Sequence, residues 1–538
     1  MLGTLLYLAR NEQTSVRIWF TITVTLSVAA LVALVSRRLL FAGFAAALLI
    51  AFISVLSDVL MGTMSKSLHA YDFFFYLNWP TVTFLWSEYR SYLVVAAITL
   101  AFVGVLAVLV WRFDKTRCPR IAAGLALAAA VAAAAWLTAP AYAQRRPFQI
   151  FGPLHPISNF FLSWGETFRV LRDGRFIEAS ARTDLPAFAA TPQCRLSGKP
   201  PPTIFLIHQE SLMPPSLFPG LSYDHGLDPL FISDDQQQHR LRVETFGGAS
   251  WLTDFSLLSG ISSRSFGDMR PFLSVFMKNK LKATLPQVLE TCGFKTMLFF
   301  PMDENFLALG EFYKTVGLAT IFDRAAQRAP SDRERDRFYF TNALAAMEQQ
   351  FKSSDQPLFV YVQTMAAHGP YNFKYAATEA VPGGGPETPA DMDEFLRRMA
   401  MAKIDYDFLI AELKRRFPDR PLLIVRYGDH QPTATRSYFN VPDNFELNEE
   451  TFPGAFVTYY AMAGLNYSVP PLPAHDPLDV AFLGTTMLEA AGIPLPDAYQ
   501  ERKRLMSICD GQYYGCKRGD EILSFHRRLI NSGHIQEH

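Results

Sequence analysis

TIFLIHQE, residues Thr203–Glu210, decides how the chain is read. The mostly apolar run Thr203–Ile207 passes directly into His208, Gln209 and Glu210. A short apolar run without polar alternation fits a strand buried on both faces, as in a parallel sheet covered by helices. Thr296–Phe300, Leu358–Val362 and Leu422–Val425 have the same character. Between these runs lie stretches with helical apolar spacing, Leu281–Thr291, Thr341–Phe351 and Met392–Arg416. Strands alternating with helices predict an α/β fold with parallel strands. The Pro382–Pro386 stretch (PGGGP) reads as a surface loop, and no internal repeat is visible.

Ligands of open α/β sheets bind beyond the carboxyl ends of the strands. Three of the runs end in polar groups suited to chemistry. Thr203–Ile207 leads to His208, Gln209 and Glu210; Leu358–Val362 leads to Gln363 and then His368; Leu422–Val425 leads to Gly428, Asp429 and His430. A carboxylate from one strand end and an Asp-His pair from another make a mixed oxygen and nitrogen site, which suits zinc or manganese better than calcium. Singly, each group is an ordinary polar strand end; together they point to a site. A fourth element is Thr245–Phe255 (TFGGASWLTDF), where a glycine pair enters a stretch with helical spacing. Ser250 then sits at a helix start, either as an ordinary N-cap or where free N–H groups favour a phosphate.

The first 143 residues differ in kind: apolar residues crowd there and charges are sparse. Ile18–Val35, Leu39–Met61, Leu93–Val110 and Ile121–Ala143 are each long enough to cross a bilayer. Arg37 and Arg38 lie between the first two runs; Arg112, Lys115, Arg117 and Arg120 lie between the last two. Basic short loops stay in the cytoplasm, so residues after Ala143 are expected outside it. Ala70–Trp86 is apolar and aromatic but holds Asp72, Asn78 and Pro80. It reads as an interfacial segment, with a fifth span as the alternative. A 538-residue chain is too long for one ordinary core. The expected layout is a transmembrane domain over 1–143, a connector over 144–197 with a short helix near Phe160–Leu171, and an extracytoplasmic domain over 198–538. Fifty basic residues balance fifty acidic ones, which gives no reason to expect a nucleic acid partner. Of five cysteines, Cys118 falls in an expected cytoplasmic loop. Cys194, Cys292, Cys509 and Cys516 would meet an oxidising compartment, where Cys509 and Cys516 are close enough in sequence to form a bridge.

The motifs occur in a recognisable order. Glu210-Ser211 follows the first strand, then come Gly247-Gly248-x-Ser250-x-x-x-Asp254-Phe255, His368-Gly369-Pro370-Tyr371 and Gly428-Asp429-His430-Gln431-Pro432. This order resembles the lipoteichoic acid synthase and phosphoglycerol transferase group of the alkaline phosphatase/sulfatase superfamily, with phosphoethanolamine transferases as more distant relatives. The resemblance covers most of residues 200–500 and the multi-span anchor. It implies a sulfatase-like sheet flanked by helices behind an all-α multi-span anchor, in the plasma (inner) membrane of a bacterium. It also implies that Glu210, Ser250, Asp429 and His430 hold a divalent metal, manganese or zinc. Ser250 takes the place of the family's threonine nucleophile, and His368 resembles the histidine that contacts the substrate phosphate. The implied partners are a phospholipid donor and an envelope glycan or lipid acceptor.

Two departures stand out. Serine replaces threonine at the nucleophile, leaving Thr253 and Thr245 as alternative hydroxyls. The family's His, Trp and Arg contacts to glycerol phosphate fall, counting back from Tyr313-Lys314, on Phe300, Leu307 and Leu309. Asp303, Glu304 and Asn305 nearby offer a different polarity, one suited to a cationic headgroup such as ethanolamine. Arg270 is a further candidate to meet an anion. A formylglycine sulfatase needs Pro at the second place and Arg at the fourth after its Cys or Ser; Ser250 has Leu252 and Asp254 there. A phosphodiesterase or hydrolase of the same superfamily and a non-catalytic membrane protein remain as alternatives.

Overall fold

The computed structural model describes residues 12, 15–64, 67–143, 156–173, 177, 185–189, 194, 196, 200–331, 333–441 and 447–536. Most of the expected connector over 144–197 therefore lies outside the described residues. The chain divides into two compact units, Met1–Gly174 and Arg175–His538.

In the first unit four helices are long and apolar enough to cross a membrane: Ser15–Ser36, Leu39–Met64, Arg90–Phe113 and Arg120–Ala143. The aromatic stretch between the second and third forms two short helices, Ala70–Phe75 and Trp79–Glu88, of six and ten residues. Asn78 interrupts it: its side chain accepts from Thr81 N–H and so starts a new helix, with Pro80 in the first turn. Neither piece reaches the roughly 17 residues a crossing needs. The two basic turns meet at one end of this unit, where Cys118 N–H donates to the Arg37 carbonyl at 3.0 Å and Phe41 N–H to Asp114 Oδ2 at 2.9 Å. At the other end the helix Pro156–Asp173 docks, with Asn159 donating to Ser67 Oγ at 3.1 Å and Ala70 N–H to Ser163 Oγ at 2.8 Å. Glu12 accepts from the first N–H groups of that helix, including Ile157 at 3.1 Å.

The second unit is an α/β domain. Its strands are β1 Thr203–Gln209, β2 His239–Arg242, β3 Thr245–Phe246, β4 Lys295–Phe299, β5 Thr320–Phe322, β6 Leu358–Gln363, β7 Leu422–Gly428, β8 His430–Gln431, β9 Val457–Leu465 and β10 Leu478–Asp479. Eight of them form a mixed sheet in the order β10-β2-β9-β7-β1-β6-β4-β5, and β3 pairs with β8 in a small second sheet. The four runs read from sequence are β1, β4, β6 and β7, which lie side by side and parallel at its centre. Pattern missed β9, which runs antiparallel to both β7 and β2, and the edge pieces β2, β5 and β10. Those three hold only two to four residues, too few to show a period.

Phe205, Ile207, Val360, Val362 and Ile424 face one core together with Phe340 and Leu344 of the helix Asp336–Ser353 and Phe395 and Met399 of the helix Ala390–Arg416. The alternate residues Ile204, Leu206, Phe359, Tyr361, Leu423 and Val425 are equally buried. With both faces covered, the strands have no reason to alternate polar with apolar, which is why they read as continuous apolar runs. Two disulfides tie this unit, Cys194–Cys292 and Cys509–Cys516; Cys118 in the first unit is free and buried.

Candidate active site

Because β6, β1 and β7 are adjacent and parallel, their carboxyl ends open at one place. Each end is shaped locally. Gly428 closes β7 against the turn after β1: a Cβ there would lie 1.8 Å from the Leu212 carbonyl oxygen, so only glycine fits. Ser211, in the left-handed region at φ 59°, donates its N–H to Asp429 Oδ1 at 2.8 Å. A non-glycine residue held there stores strain of the order of 1 kcal/mol, the sort of cost that clusters at functional sites.

Ser250 arrives by a separate route. β3 pairs with β8 so that Thr245 lies opposite His430, and Gly247 N–H donates to the Gln431 carbonyl at 2.9 Å. Gly247, Gly248 and Ala249 then all take positive φ and turn the chain into the helix Ser250–Ser259. Ala249 is the N-cap and Ser250 the first helical residue, so the N-cap reading of Ser250 fails and its hydroxyl is not spent on capping. That hydroxyl donates to Glu210 Oε2 at 3.2 Å and lies 3.4 Å from His430 Nε2.

The four residues singled out as ligands are thus brought together. His430 Nε2 is 3.4 Å from Glu210 Oε1 and 3.2 Å from Asp429 Oδ2. His430 Nδ1 faces the Gln431 carbonyl at 2.9 Å; as a donor there, it leaves Nε2 with its lone pair directed at the carboxylates. His208 joins them, with Nε2 3.2 Å from Asp429 Oδ2 and 3.6 Å from Glu210 Oε2. His208 stands at the strand end in the sequence but is not among the four residues expected to hold a metal.

His368 sits half-buried on the loop after β6. Its Nδ1 lies 2.6 Å from the Gly369 carbonyl, which leaves Nε2 as the atom available to a substrate. Thr253 is fully buried, and its hydroxyl donates to the Asp429 carbonyl at 2.8 Å. Thr245 Oγ1 is buried. Arg270 is committed to the Glu244 carbonyl at 2.8 Å, and burial together with Arg264 brings its pKa down to about 10. Phe300, Leu307 and Leu309 are buried apolar groups. Asp303 accepts from Asn305 N–H at 2.8 Å and Glu304 pairs with Lys314 at 2.7 Å, so both acids already have partners.

The donor set fits a divalent cation. His208 Nε2 and Asp429 Oδ2 are buried and make no hydrogen bond with proper geometry, although 3.2 Å apart. Ligands bound at about 2.1 Å in a tetrahedron lie about 3.4 Å from one another. Six of the pairs among these atoms are 3.2 to 3.6 Å apart. Burial alone would raise the pKa of Glu210, yet the neighbouring His208, His430 and His368 imidazoles carry it well below the usual carboxylate range. Burial likewise opposes charge on His208, but Asp254 and Asp429 outweigh it and raise its pKa well above 6.5.

Residues 231–493 match the sulfatase family model. That segment is similar to the sulfatase family. Among curated proteins it is 23% identical over 323 residues to an uncharacterized protein of Haemophilus influenzae, covering 58% of this chain and 55% of that one. It is 22% identical over 244 residues to a putative cyclic β-1,2-glucan modification protein of Rhizobium meliloti, covering 44% of this chain and 37% of the relative. The chain therefore spans about half or less of the length of these relatives. Among solved structures, the integral membrane lipooligosaccharide phosphoethanolamine transferase A of Neisseria meningitidis is similar at a TM-score of 0.47 and 14% identity, covering 84% of this chain and 81% of that one.

Proposed function

We propose that this sulfatase-like domain transfers a phosphoglycerol- or phosphoethanolamine-type headgroup from a membrane phospholipid to an envelope glycan or lipid, through a phosphorylated Ser250. The observation that carries the reading is the Ser250 hydroxyl, at a helix start and within 3.4 Å of both Glu210 and His430. Glu210, Ser250, Asp429 and His430 would hold the divalent ion, zinc or manganese, which when bound lowers the pKa of a hydroxyl and offsets charge on phosphoryl oxygens.

The chain's own groups account for the rest. Ser250 Oγ attacks the phosphodiester phosphorus; the Oγ–P bond forms and the bond to the diacylglycerol oxygen breaks. The serine proton points at Glu210 Oε2 in the resting arrangement and ends on the released diacylglycerol hydroxyl. An acceptor hydroxyl then forms its own O–P bond, the Oγ–P bond breaks, and the acceptor's proton returns the serine to its starting state. The helix start behind Ser250 favours the phosphoryl anion, and His368 Nε2 supplies a further contact to it.

Two features support an extracytoplasmic domain on a plasma-membrane anchor. Both disulfides lie in the second unit, and such bridges persist in an oxidising compartment. Four apolar helices lie in the first, with its basic turns gathered at one end. The description of the Rhizobium relative favours a glycan as acceptor. The test is intact-protein mass spectrometry on the purified chain with zinc or manganese and phosphatidylglycerol or phosphatidylethanolamine. A headgroup-phosphate adduct that Ser250→Ala abolishes is the expected result, and its mass names the donor. Released headgroup without an adduct would point to hydrolysis. Neither adduct nor release, with metal bound, would sink the reading.

A further inference from the structure

We propose that His208 is a fifth metal ligand, oriented by the buried carboxylate of Asp254, so that the centre holds two imidazoles and favours zinc over manganese. The inference rests on the metal-dependent reading above and extends it, since neither the sulfatase match nor the motif resemblance gives His208 a role.

The geometry has two sides. Toward the centre, His208 Nε2 is buried, makes no hydrogen bond, and lies 3.2 Å from Asp429 Oδ2 and 3.6 Å from Glu210 Oε2. Those are the separations of neighbouring ligands around one ion. His208, Glu210 and Asp429 can present one ligand atom each within 4.8 Å of one another. Away from the centre, His208 Nδ1 lies 2.9 Å from Asp254 Oδ1. A metal-bound histidine almost always donates its other ring N–H to a carboxylate or carbonyl, which fixes the tautomer and strengthens the ligand. His208 has that partner already in place.

Asp254 is itself held rigidly. Tyr427 donates to Oδ1 at 2.7 Å, while Tyr313 and Gln363 donate to Oδ2, each at 2.9 Å. Tyr361 completes the group at 2.7 Å from the Tyr427 hydroxyl. Burial first, and the Asp254 charge second, keep these three phenols far above 10, so they remain protonated donors. Three buried donors besides His208 leave this carboxylate little freedom, and His208 inherits that fixed aim. The simpler alternative is that His208 is a buried cation bridging Asp254 and Asp429. An ion entering the centre must then displace the Nε2 proton, as it does at any histidine that becomes a ligand. Without His208 as a ligand, the Glu210–Asp429–His430 set has one imidazole. A second imidazole shifts the donor set from the oxygen-rich kind manganese takes toward the kind zinc takes.

The test is zinc-edge X-ray absorption on the full-length protein in detergent, paired with zinc affinity by chelator competition. Two imidazoles per zinc are expected in the wild type and one in His208→Gln. Zinc affinity should fall about 10- to 100-fold in His208→Gln and by a similar factor in Asp254→Asn, where both imidazoles persist. One imidazole per zinc in the wild type would overturn the proposal on its own, even if the variants fail to fold, and would leave the transferase reading intact. A protein that holds no zinc or manganese at all would sink that reading as well.

Discussion

Arg398 grips the carbonyl of His368: its Nη1 donates to that oxygen at 2.5 Å. Nη2 reaches the carbonyls of Pro370 at 3.0 Å and Phe373 at 3.3 Å, and Nε pairs with Glu394 at 2.8 Å. The rings of Tyr371, Phe373 and Tyr375 lie within 5.4 Å of the guanidinium carbon. One planar fork thus shapes the whole loop that presents His368, a task a lysine point charge does not perform. Arg398→Met strands three carbonyls, each at about 1–3 kcal/mol when left unsatisfied and buried. Arg397 still pairs with Glu394 at 2.6 Å, which limits further loss. The expected outcome is a chain destabilised by about 3 kcal/mol in chemical unfolding that binds metal normally and transfers headgroup at least tenfold more slowly. Normal transfer would show that the loop does not need the grip.

Asp336 supports the same loop from beneath, accepting from Ala366 N–H at 3.1 Å. Burial first, then the Asp405 charge, push its pKa up to about 7. A carboxyl raised in the fold binds its proton more tightly than the unfolded chain does. Its contribution to stability is therefore complete below about pH 4 and is lost as pH rises toward 7. Asp336→Asn keeps an acceptor for Ala366 but removes the titration. Between pH 5 and 8 the wild type should lose more stability than Asp336→Asn, by a few kcal/mol in order of magnitude. Parallel curves from urea unfolding at several pH values would refute it.

The centre of the sheet was legible in sequence and its margins were not. Phe205 and Leu206, on opposite faces of β1, are both fully buried, and that double burial makes the run stand out. Ser250, Glu210, Asp429 and His430 stood out as strand-end or turn polar groups, and adjacency of β1 with β7 brings the last three together. His208 had a signal too. It stands two residues before Glu210, and period-two alternation puts both on one face of the strand end. The role of Asp254 needs four donors from β1, β6, β7 and the helix Leu309–Thr315, which no local pattern reveals. The Cys194–Cys292 bridge joins positions 98 apart and was equally invisible.

Those two bridges should differ in worth. Cys194–Cys292 closes 98 residues and Cys509–Cys516 only seven. Loop-closure entropy gives about 5 kcal/mol for the long loop and about 2.5 for the short one. Cys194→Ser/Cys292→Ser should therefore lower the unfolding free energy more than Cys509→Ser/Cys516→Ser does. Equal losses in denaturant titrations would mean that the unfolded chain retains structure near one bridge.

Of the candidate nucleophiles, Ser250 and Thr253 differ most plainly in burial and partner. Thr253 is fully buried with its hydroxyl on the Asp429 carbonyl; Ser250 is half-buried beside Glu210. Thr253→Val should still form the lipid-derived adduct, at a reduced rate because Asp429 loses a support. Ser250→Ala should form none. Peptide mapping that finds the adduct on residue 253 would reverse the assignment.

Gly428 gives the sharpest steric prediction. It is the last residue of β7 and delivers Asp429 to the centre, and the nearest atom to an added Cβ is backbone, the Leu212 carbonyl at 1.8 Å. Backbone cannot rotate away as a side-chain tip can, so Gly428→Ala must displace either β7 or the turn through Ser211. Either shift pulls Asp429 Oδ1 off the Ser211 N–H, now at 2.8 Å, and spreads the ligands. Forced overpacking of this kind costs about 1–3 kcal/mol, and more where neither side yields. Gly519→Ala is the control, since nothing lies within 4 Å of an added Cβ there. Gly428→Ala should lose both thermal stability and zinc affinity, while Gly519→Ala loses neither. Stability lost with zinc affinity retained would show that the Asp429–Ser211 contact does not set the geometry of the centre.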